Sequence, residues 1–419
     1  MTKNKNYWIY LAYLVIFLSF VEIFDTYTTL YPNVIVSLVQ DEYLSHEPQV
    51  IADSIMLIVT AIATLGMYFV IVNQFLADIV GRRIMLFVTV LGMGLASLFI
   101  ALSADLPQYT MSLFFLYVFF SSDIWTIYVS EESAESRRGF NLNFILVIGC
   151  IGVILMTLFR PIFITETASN WRGMTYFALL AIPIAFLAFG IKETSQFKEL
   201  KEQKKAGSLE KSPLLFNLKK PFHKQYRKEF IPVLVMAFLT GLNYTFIQMG
   251  ESYLVNSTPL GQDEVNIVVS IMGYAAIAGY LITGIVSDTL GRKPLFYIYS
   301  VLIPISIMIV VFGIQSPENS LVIACIGAGL ASMTYYGLGI VNRLVSIEIL
   351  PTDVRGTGTG WRSVISALGI TFGSIFNSIL NLAFGLGISF FIISMLLLLN
   401  IPLTYFYIKE TKGKELELT

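Results

Sequence analysis

Glu22 and Asp25 stand three residues apart inside an apolar run near residues 8–39, a spacing that puts both carboxylates on one helix face. An ionisable group within hydrocarbon costs roughly 3 kcal/mol or more unless it is paired or hydrated, so each is a functional candidate by default. A carboxyl group in a partly dry cavity can alternate between charged and neutral as its surroundings change, which is the chemistry of proton coupling. Asp123, about 12 Å by helix rise from the end of a later apolar run, is a third interior acid and a candidate to bind substrate. Glu251, near the outer end of another, reads as interfacial. Tyr27, Asn243, Tyr244, Gln248 and Tyr336 are polar side chains on the same runs, suited to orienting a small polar substrate. No His, Cys, Asp or Glu constellation with nucleophile or metal-ligand spacing occurs within the runs, so neither an enzyme nor a bound metal or cofactor is expected.

The elements that must position these groups follow from composition. A chain of 419 residues that is 56% apolar and 13% charged, with mean hydropathy +0.73, uses lipid as its solvent. A crossing of the hydrocarbon needs about 20 apolar residues. Twelve such runs can be read, the first near 8–39, the seventh near 230–255 and the last near 385–408. The expected fold is therefore an all-α membrane protein with two pseudo-symmetric bundles of six transmembrane helices. The first bundle spans 1–191, a cytoplasmic linker with amphipathic helices spans 192–229, and the second bundle with its tail spans 230–419. Lys3, Lys5, Arg82, Arg83, Arg137, Arg138, Arg292, Lys293, Arg355 and the basic tail fall on one side, leaving only Arg160 and Arg172 on the other. That bias puts both termini in the cytoplasm of a multi-pass cell-membrane protein. The net charge of −1 gives no reason to expect nucleic acid as a partner. Cys150 and Cys325, on different runs, read as buried thiols.

Two motif pairs recur in the same order. Gly284-Ile-Val-Ser-Asp288-Thr-Leu-Gly291-Arg292-Lys293 has an earlier counterpart in Gln74-Phe-Leu-Ala-Asp78-Ile-Val-Gly81-Arg82-Arg83. Glu131 stands seven residues before Arg138, and Glu348 seven before Arg355. Gly81 and Gly291 can take backbone angles closed to other residues, and the acids and arginines can pair. A two-fold repeat in a membrane chain is the signature of an alternating-access transporter.

The Gly-x-x-x-Asp-x-x-Gly-Arg-Lys loop resembles the signature of the major facilitator superfamily. The Glu131/Arg138 and Glu348/Arg355 pairs, Pro351-Thr-Asp-Val-Arg355-Gly-Thr-Gly, Asn170-Trp171-Arg172, Glu193-Thr-Ser-Gln-Phe and Glu410-Thr-Lys-Gly-Lys resemble its sugar-porter and metabolite:proton symporter branches. That resemblance implies a cytoplasmic gate made of Asp78, Gly81, Arg82, Glu131, Arg138, Asp288, Gly291, Arg292, Glu348 and Arg355. It also implies a proton-coupling role for Asp25 in Phe24-Asp25-Thr26, with Glu22 as helper or replacement.

The chain departs from the sugar-porter pattern in several places. No Lys or Arg lies between Arg83 and Arg137, where coupled members carry a span-four Arg. Ala237-Phe238 stands where a Gln pair is expected, and Leu146 where a sugar-binding Gln is expected. Arg343, at a position often Trp in sugar porters, reads as a buried cation, either paired with Asp123, Glu131 or Glu348 or touching substrate.

The function expected is proton-coupled uptake of a small polar metabolite, a sugar, sugar acid or organic acid, by a monomer in the lipid bilayer. The alternative is a proton-coupled exporter of a cationic or amphipathic compound, favoured by the mostly acidic interior. A transporter-like sensor without turnover is a third class, opposed by the short loops and intact gate motifs.

Overall fold

A computed structural model describes residues 5–119, 124–133, 135–194, 197–198, 202, 219–314, 317–350 and 352–412. Among them, twelve helical stretches are long and apolar enough to cross a membrane, from Ile9–Val34 to Leu386–Tyr407. The α-helices are α1 (Lys5–Leu30), α2 (Val36–Tyr43), α3 (Gln49–Thr64), α4 (Val70–Val80), α5 (Arg82–Ala101), α6 (Leu106–Phe119), α7 (Ile124–Glu132), α8 (Glu135–Phe163), α9 (Tyr176–Leu179) and α10 (Ala181–Ala185). After the linker come α11 (Arg227–Leu242), α12 (Thr245–Ser257), α13 (Gln262–Leu290), α14 (Arg292–Gly313), α15 (Ser320–Glu348), α16 (Thr352–Phe384), α17 (Leu386–Met395) and α18 (Asn400–Tyr407).

Several predicted spans are not single helices, and the breaks in the first and the seventh bear on the site. The first ends at Leu30, passes through a 3-10 turn over Tyr31–Val34, and is followed by the separate short helix α2. The seventh breaks between Leu242 and Thr245, so Asn243 and Tyr244 occupy the break itself. Of the linker, the described turn Lys220–Phe222 packs its Phe222 ring on Trp361 and Phe230, at 5.4 and 5.6 Å between centroids.

Contacts divide the chain into two compact units. The first comprises Met1–Pro32, Leu65–Phe163 and Asn170–Lys211; the second comprises Asn33–Thr64, Ile164–Ser169 and Ser212–Thr419. The segment from Asn33 to Thr64 therefore packs with the C-terminal helices.

Within the first unit α1 lies on α8 at close range, because α8 presents glycines to it. A Cβ on Gly152 would stand 2.5 Å from the Ile23 carbonyl oxygen, and one on Gly149 2.5 Å from Glu22 Cγ. In the second unit, α11 and α16 approach through glycines on both sides. A Cβ at Gly241 would collide with the Ser366 carbonyl, and one at Gly369 with the Phe238 carbonyl. Small residues at such crossings replace hydrophobic drive with close backbone packing, as lipid-embedded helices require.

Candidate functional site

In the first unit, Glu22 and Asp25 are both buried, one helical turn apart on α1. Glu22 lies against the bare backbone at Gly149. Tyr27, expected at the substrate, is instead fully buried. Its hydroxyl donates to the Met174 carbonyl at 2.6 Å, and its ring packs edge-on to Phe177 at 4.8 Å. A phenol two residues beyond Asp25 is turned toward the neighbouring helix by the 3.6-residue period. Asp123 lies outside the described residues.

The second unit brings together several of the expected polar groups. Asn243 is buried and donates to the carbonyl oxygens of Leu239 at 3.0 Å and Ile393 at 3.4 Å. Tyr244 accepts from Asn33 Nδ2 at 3.5 Å, and its ring lies 5.5 Å from that of Tyr335. Tyr335 contacts Tyr336 at 5.4 Å, and Tyr336 contacts Tyr280 at 5.3 Å. Gln248 is buried with Oε1 accepting from Ser374 Oγ at 3.5 Å. A small cavity lined by Asn243, Thr245, Phe246, Ala331 and Tyr335 adjoins the helix break.

Arg343 does not fit the expectation of a buried cation: its side chain is exposed. Glu348 pairs elsewhere. A half-buried cation within a span of this unit is Arg362 on α16, whose Nη2 donates to Ser363 Oγ at 3.4 Å. It was legible as an Arg inside an apolar run and was overlooked. Arg160, expected on the outer side, is fully buried in the last turn of α8.

Glu251, expected at the interface, is 2% exposed. Its two oxygens accept from the backbone N–H and the hydroxyl of Ser37 at 2.9 and 2.7 Å, at the first turn of α2. Beside it, Asp53 on α3 is buried and accepts from Gln40 Nε2 at 2.8 Å, Gln49 Nε2 at 3.0 Å and Ser252 Oγ at 3.4 Å. Asp53, an acid inside an apolar run, carried the same signal as Asp25 and was not singled out. Outside the spans, burial and the nearby Glu251 charge raise the Asp41 carboxyl above its usual range.

The repeated loop has the same architecture in each unit. Gly81 and Gly291 adopt φ of 117° and 101°, which only glycine takes without strain, and each is followed immediately by the first residue of a helix. A carboxylate from the end of each unit's last span covers that helix start. Glu193 accepts from the backbone N–H of Arg82 at 3.0 Å and of Arg83 at 3.3 Å. Glu410 accepts from the backbone N–H of Arg292 at 2.9 Å and of Lys293 at 3.0 Å. Anions are stabilised at helix N-termini by these unpaired donors and the helix dipole.

The arginine side chains repeat as well. Arg82 Nη1 donates to the Ala77 carbonyl and Arg292 Nη1 to the Ser287 carbonyl, at 3.1 and 2.7 Å. Arg82 pairs with Glu131 at 3.3 Å and Arg292 with Glu348 at 2.7 Å, all four side chains largely buried. Thr411 Oγ1 adds a donor to Glu348 at 2.5 Å, and the exposed Asp288 adds a 3.1 Å contact to Arg292.

The expected Glu348/Arg355 pair does not form. Arg355 donates to the main-chain oxygens of Ile347 at 3.0 Å and Leu350 at 3.4 Å, closing the carbonyl end of α15. The carboxylate is claimed instead by the nearer guanidinium of Arg292. The side chains of Asp78 and Arg138 lie outside the described residues. Glu193 and Glu410 were visible only as parts of short motifs, because nothing in a linear sequence says that a residue more than a hundred positions later will cap a helix.

The duplicated loops and the twelve spans are matched by a family model, that of the Major Facilitator Superfamily, over residues 15–346 and again over 233–418. The chain belongs to the Major Facilitator Superfamily. It is a multi-pass membrane transporter rather than an enzyme, and it acts on small molecules. YwtG of Bacillus subtilis, which is named as a metabolite transport protein, is 26% identical over 328 residues, covering 71% of this chain and 70% of that one. The sialic acid transporter NanX of Escherichia coli is 23% identical, covering 54% of this chain and 53% of its own length. Among solved structures, the D-xylose-proton symporter superposes with a TM-score of 0.76 at 15% identity, covering 97% of this chain and 99% of that one. The inward open form of the xylose transporter XylE from E. coli gives 0.73 at 16% identity, covering 97% and 98%. At such identities the structural likeness establishes the fold of this family member.

Proposed function

We propose that the protein takes up a small polar metabolite together with protons, working as a monomer in the cell membrane with both termini in the cytoplasm. The observation that carries this reading is the pair Glu22 and Asp25, two buried carboxylates one turn apart on the first span. Burying such groups in a membrane is costly, and a membrane helix keeps them where their ionisation is used. Cavity opening to one side and then the other gives each carboxylate alternate access to two aqueous phases, so proton binding and substrate binding bias the same conformational equilibrium. Asn243 and Tyr244 at the broken seventh span, with Gln248 and Tyr336 nearby, supply directed hydrogen bonds for a polar substrate. The two Gly-Arg loops, with Glu131, Glu193, Glu348 and Glu410, serve as the cytoplasmic gate, pairing in one conformation and hydrating in the other. The relatives named for sialic acid and for general metabolite transport support a substrate drawn from sugars, sugar acids or organic acids.

The test uses purified protein in liposomes with an inside-alkaline proton gradient, an interior pH dye and a panel of sugars, sugar acids, carboxylates, amino acids and organic cations. Substrate-dependent acidification, abolished by Asp25→Asn or Glu22→Gln, is the expected result. Alkalinisation driven by a cation would replace this reading with antiport. Exchange of radiolabelled substrate with no proton signal in either direction would leave a facilitator in which both acids are structural.

A further inference from the structure

Two asparagines one turn apart on α16 are only half satisfied. Asn377 is fully buried, and its Nδ2 donates to Thr245 Oγ1 at 2.8 Å and to the Gly373 carbonyl at 2.9 Å. A main-chain carbonyl oxygen can only accept, so that bond fixes which end of the amide is which and leaves Oδ1 on the other side. Asn381 is 1% exposed and is held in the same way, with Nδ2 donating to the Val50 carbonyl at 2.8 Å and to Ser54 Oγ at 2.9 Å. Neither Oδ1 meets a donor among the described residues.

Across the helix contact, Gln248 of α12 is 1% exposed and is half satisfied too. Its Oε1 accepts from Ser374 Oγ at 3.5 Å, while its Nε2 meets no acceptor among the described residues. Thr245 and Gln248 are one turn apart on α12, as Ser374 and Asn377 are on α16. The contacts Thr245–Asn377 and Gln248–Ser374 therefore frame one patch, with an unused N–H donor and an unused carbonyl acceptor at opposite corners. Thr245, a third corner, also lines the small cavity beside the helix break. Buried polar groups are nearly always paired, so unused ends grouped on two facing helices call for a partner from outside the chain.

What is offered sets the chemistry of that partner. A carboxylate accepts but cannot donate, and its charge would face the carbonyl oxygens of Asn377 and Asn381. An ammonium donates but cannot accept from Gln248. A hydroxyl does both, and neighbouring hydroxyls on a sugar ring can divide the two tasks between them.

We propose that Gln248 and Asn377, with Asn381 as a further acceptor, form a hydroxyl-binding subsite, so that the transported metabolite is polyhydroxylated, a sugar or sugar acid rather than an acid without hydroxyls. This deepens the uptake reading above and rests on it for the word substrate. It does not rest on the direction of transport or on proton coupling.

The experiment measures equilibrium binding to purified wild type, Gln248→Met and Asn377→Leu in detergent, by calorimetry. The probes are D-glucose, D-galactose, D-xylose and N-acetylneuraminate, each with its monodeoxy congeners, and succinate as an acid without hydroxyls. The expected result is that at least one hydroxylated probe binds and that one of its monodeoxy congeners binds about ten-fold more weakly, the scale of the lost hydrogen bonds. Each variant should weaken the parent probe by a similar factor and leave that congener nearly unchanged, because the hydroxyl and its protein partner then no longer depend on each other. Should one variant fail to fold, the other carries the comparison. A purely structural role, or a resident water in place of a substrate hydroxyl, would weaken the parent and all its congeners alike and would overturn the assignment. Binding of succinate alone, or no binding by any hydroxylated probe, would overturn it too. Selective binding of the expected kind beside a silent pH dye in liposomes would sink proton coupling while leaving this subsite standing. Proton-coupled uptake of succinate alone would do the reverse.

Discussion

Glu251 holds Ser37 by both of its oxygens, one on the backbone N–H and one on the hydroxyl, and so fixes the first turn of α2 against α12. A buried carboxylate at a helix start combines charge-assisted hydrogen bonds with the favourable end of the helix dipole. Glu251→Gln keeps the shape and removes the charge; it is expected to cost about 2 kcal/mol, the worth of a hydrogen bond to a charged group. Hydrogen–deuterium exchange over 33–43 should speed up in this variant, and more so in Glu251→Ala, where the Ser37 N–H loses its acceptor. Exchange at the wild-type rate in both would show that α2 is held by something else.

Arg292 and Glu348 form the tighter of the two repeated ion pairs, at 2.7 Å. Removing Arg292 leaves Glu348 largely buried without its charge partner, and removing Glu348 leaves Arg292 only the exposed Asp288, so Arg292→Met should lower stability by roughly 3 kcal/mol and Glu348→Leu by somewhat less. The double substitution should lose less than the sum of the two, since neither lone charge then remains. Thermal unfolding in detergent of the four proteins reads this directly, and strict additivity would rule out the coupling.

Gly291→Ala places a Cβ 2.7 Å from Glu410 Oε2 at a φ of 101°. Backbone strain of that kind costs roughly 1–3 kcal/mol, and the clash also dislodges the capping carboxylate. The melting temperature should therefore fall, and the loss should be smaller when Glu410→Ala is already present. A Gly291→Ala protein as stable as wild type would show that the loop relaxes freely.

Burial alone would raise the Glu410 carboxyl, yet the backbone N–H groups of Arg292, Lys293, Lys412 and Thr411 outweigh it and hold it below its usual range. A carboxyl depressed in the folded state contributes stability that is present above the ordinary value near ~4.3 and is lost as pH falls through the lower folded value. The stability difference between wild type and Glu410→Gln should thus be largest near neutral pH and shrink as the solution is acidified below pH ~4.3. Melting curves for the pair across that range check the sign; a gap that widens on acidification would reverse it.

The apolar runs and the duplicated Gly-Arg loops were legible because they depend on local pattern: length against bilayer thickness, and glycine where φ turns positive. Burial of Glu22 and Asp25 was legible for the same reason, since three-residue spacing fixes a shared face. Partner choice was not. Arg355 and Arg292 are equally plausible mates for Glu348 in a linear reading, and only the packing of α14 beside α15 decides for Arg292. Tyr27 and Tyr336 are both aromatic residues in apolar spans, but one donates to Met174 in a sealed core while the other stays half-open. Arg343 and Arg362 both stand inside apolar runs, and only the packing leaves the first exposed and the second half-buried.

The capping of α5 by Glu193 and of α14 by Glu410 sets an order of events during synthesis. The donors at each Gly-Arg turn are made early, and the carboxylates that satisfy them follow 111 and 118 residues later, at the end of the same unit's last span. A nascent chain with three spans in the bilayer has the turn but not its counter-ion, so the turn stays open to water and to whatever else can offer an anion. Arrival of the last span both finishes the bundle and closes the turn, which makes the loop a built-in indicator of complete insertion, read once in each unit.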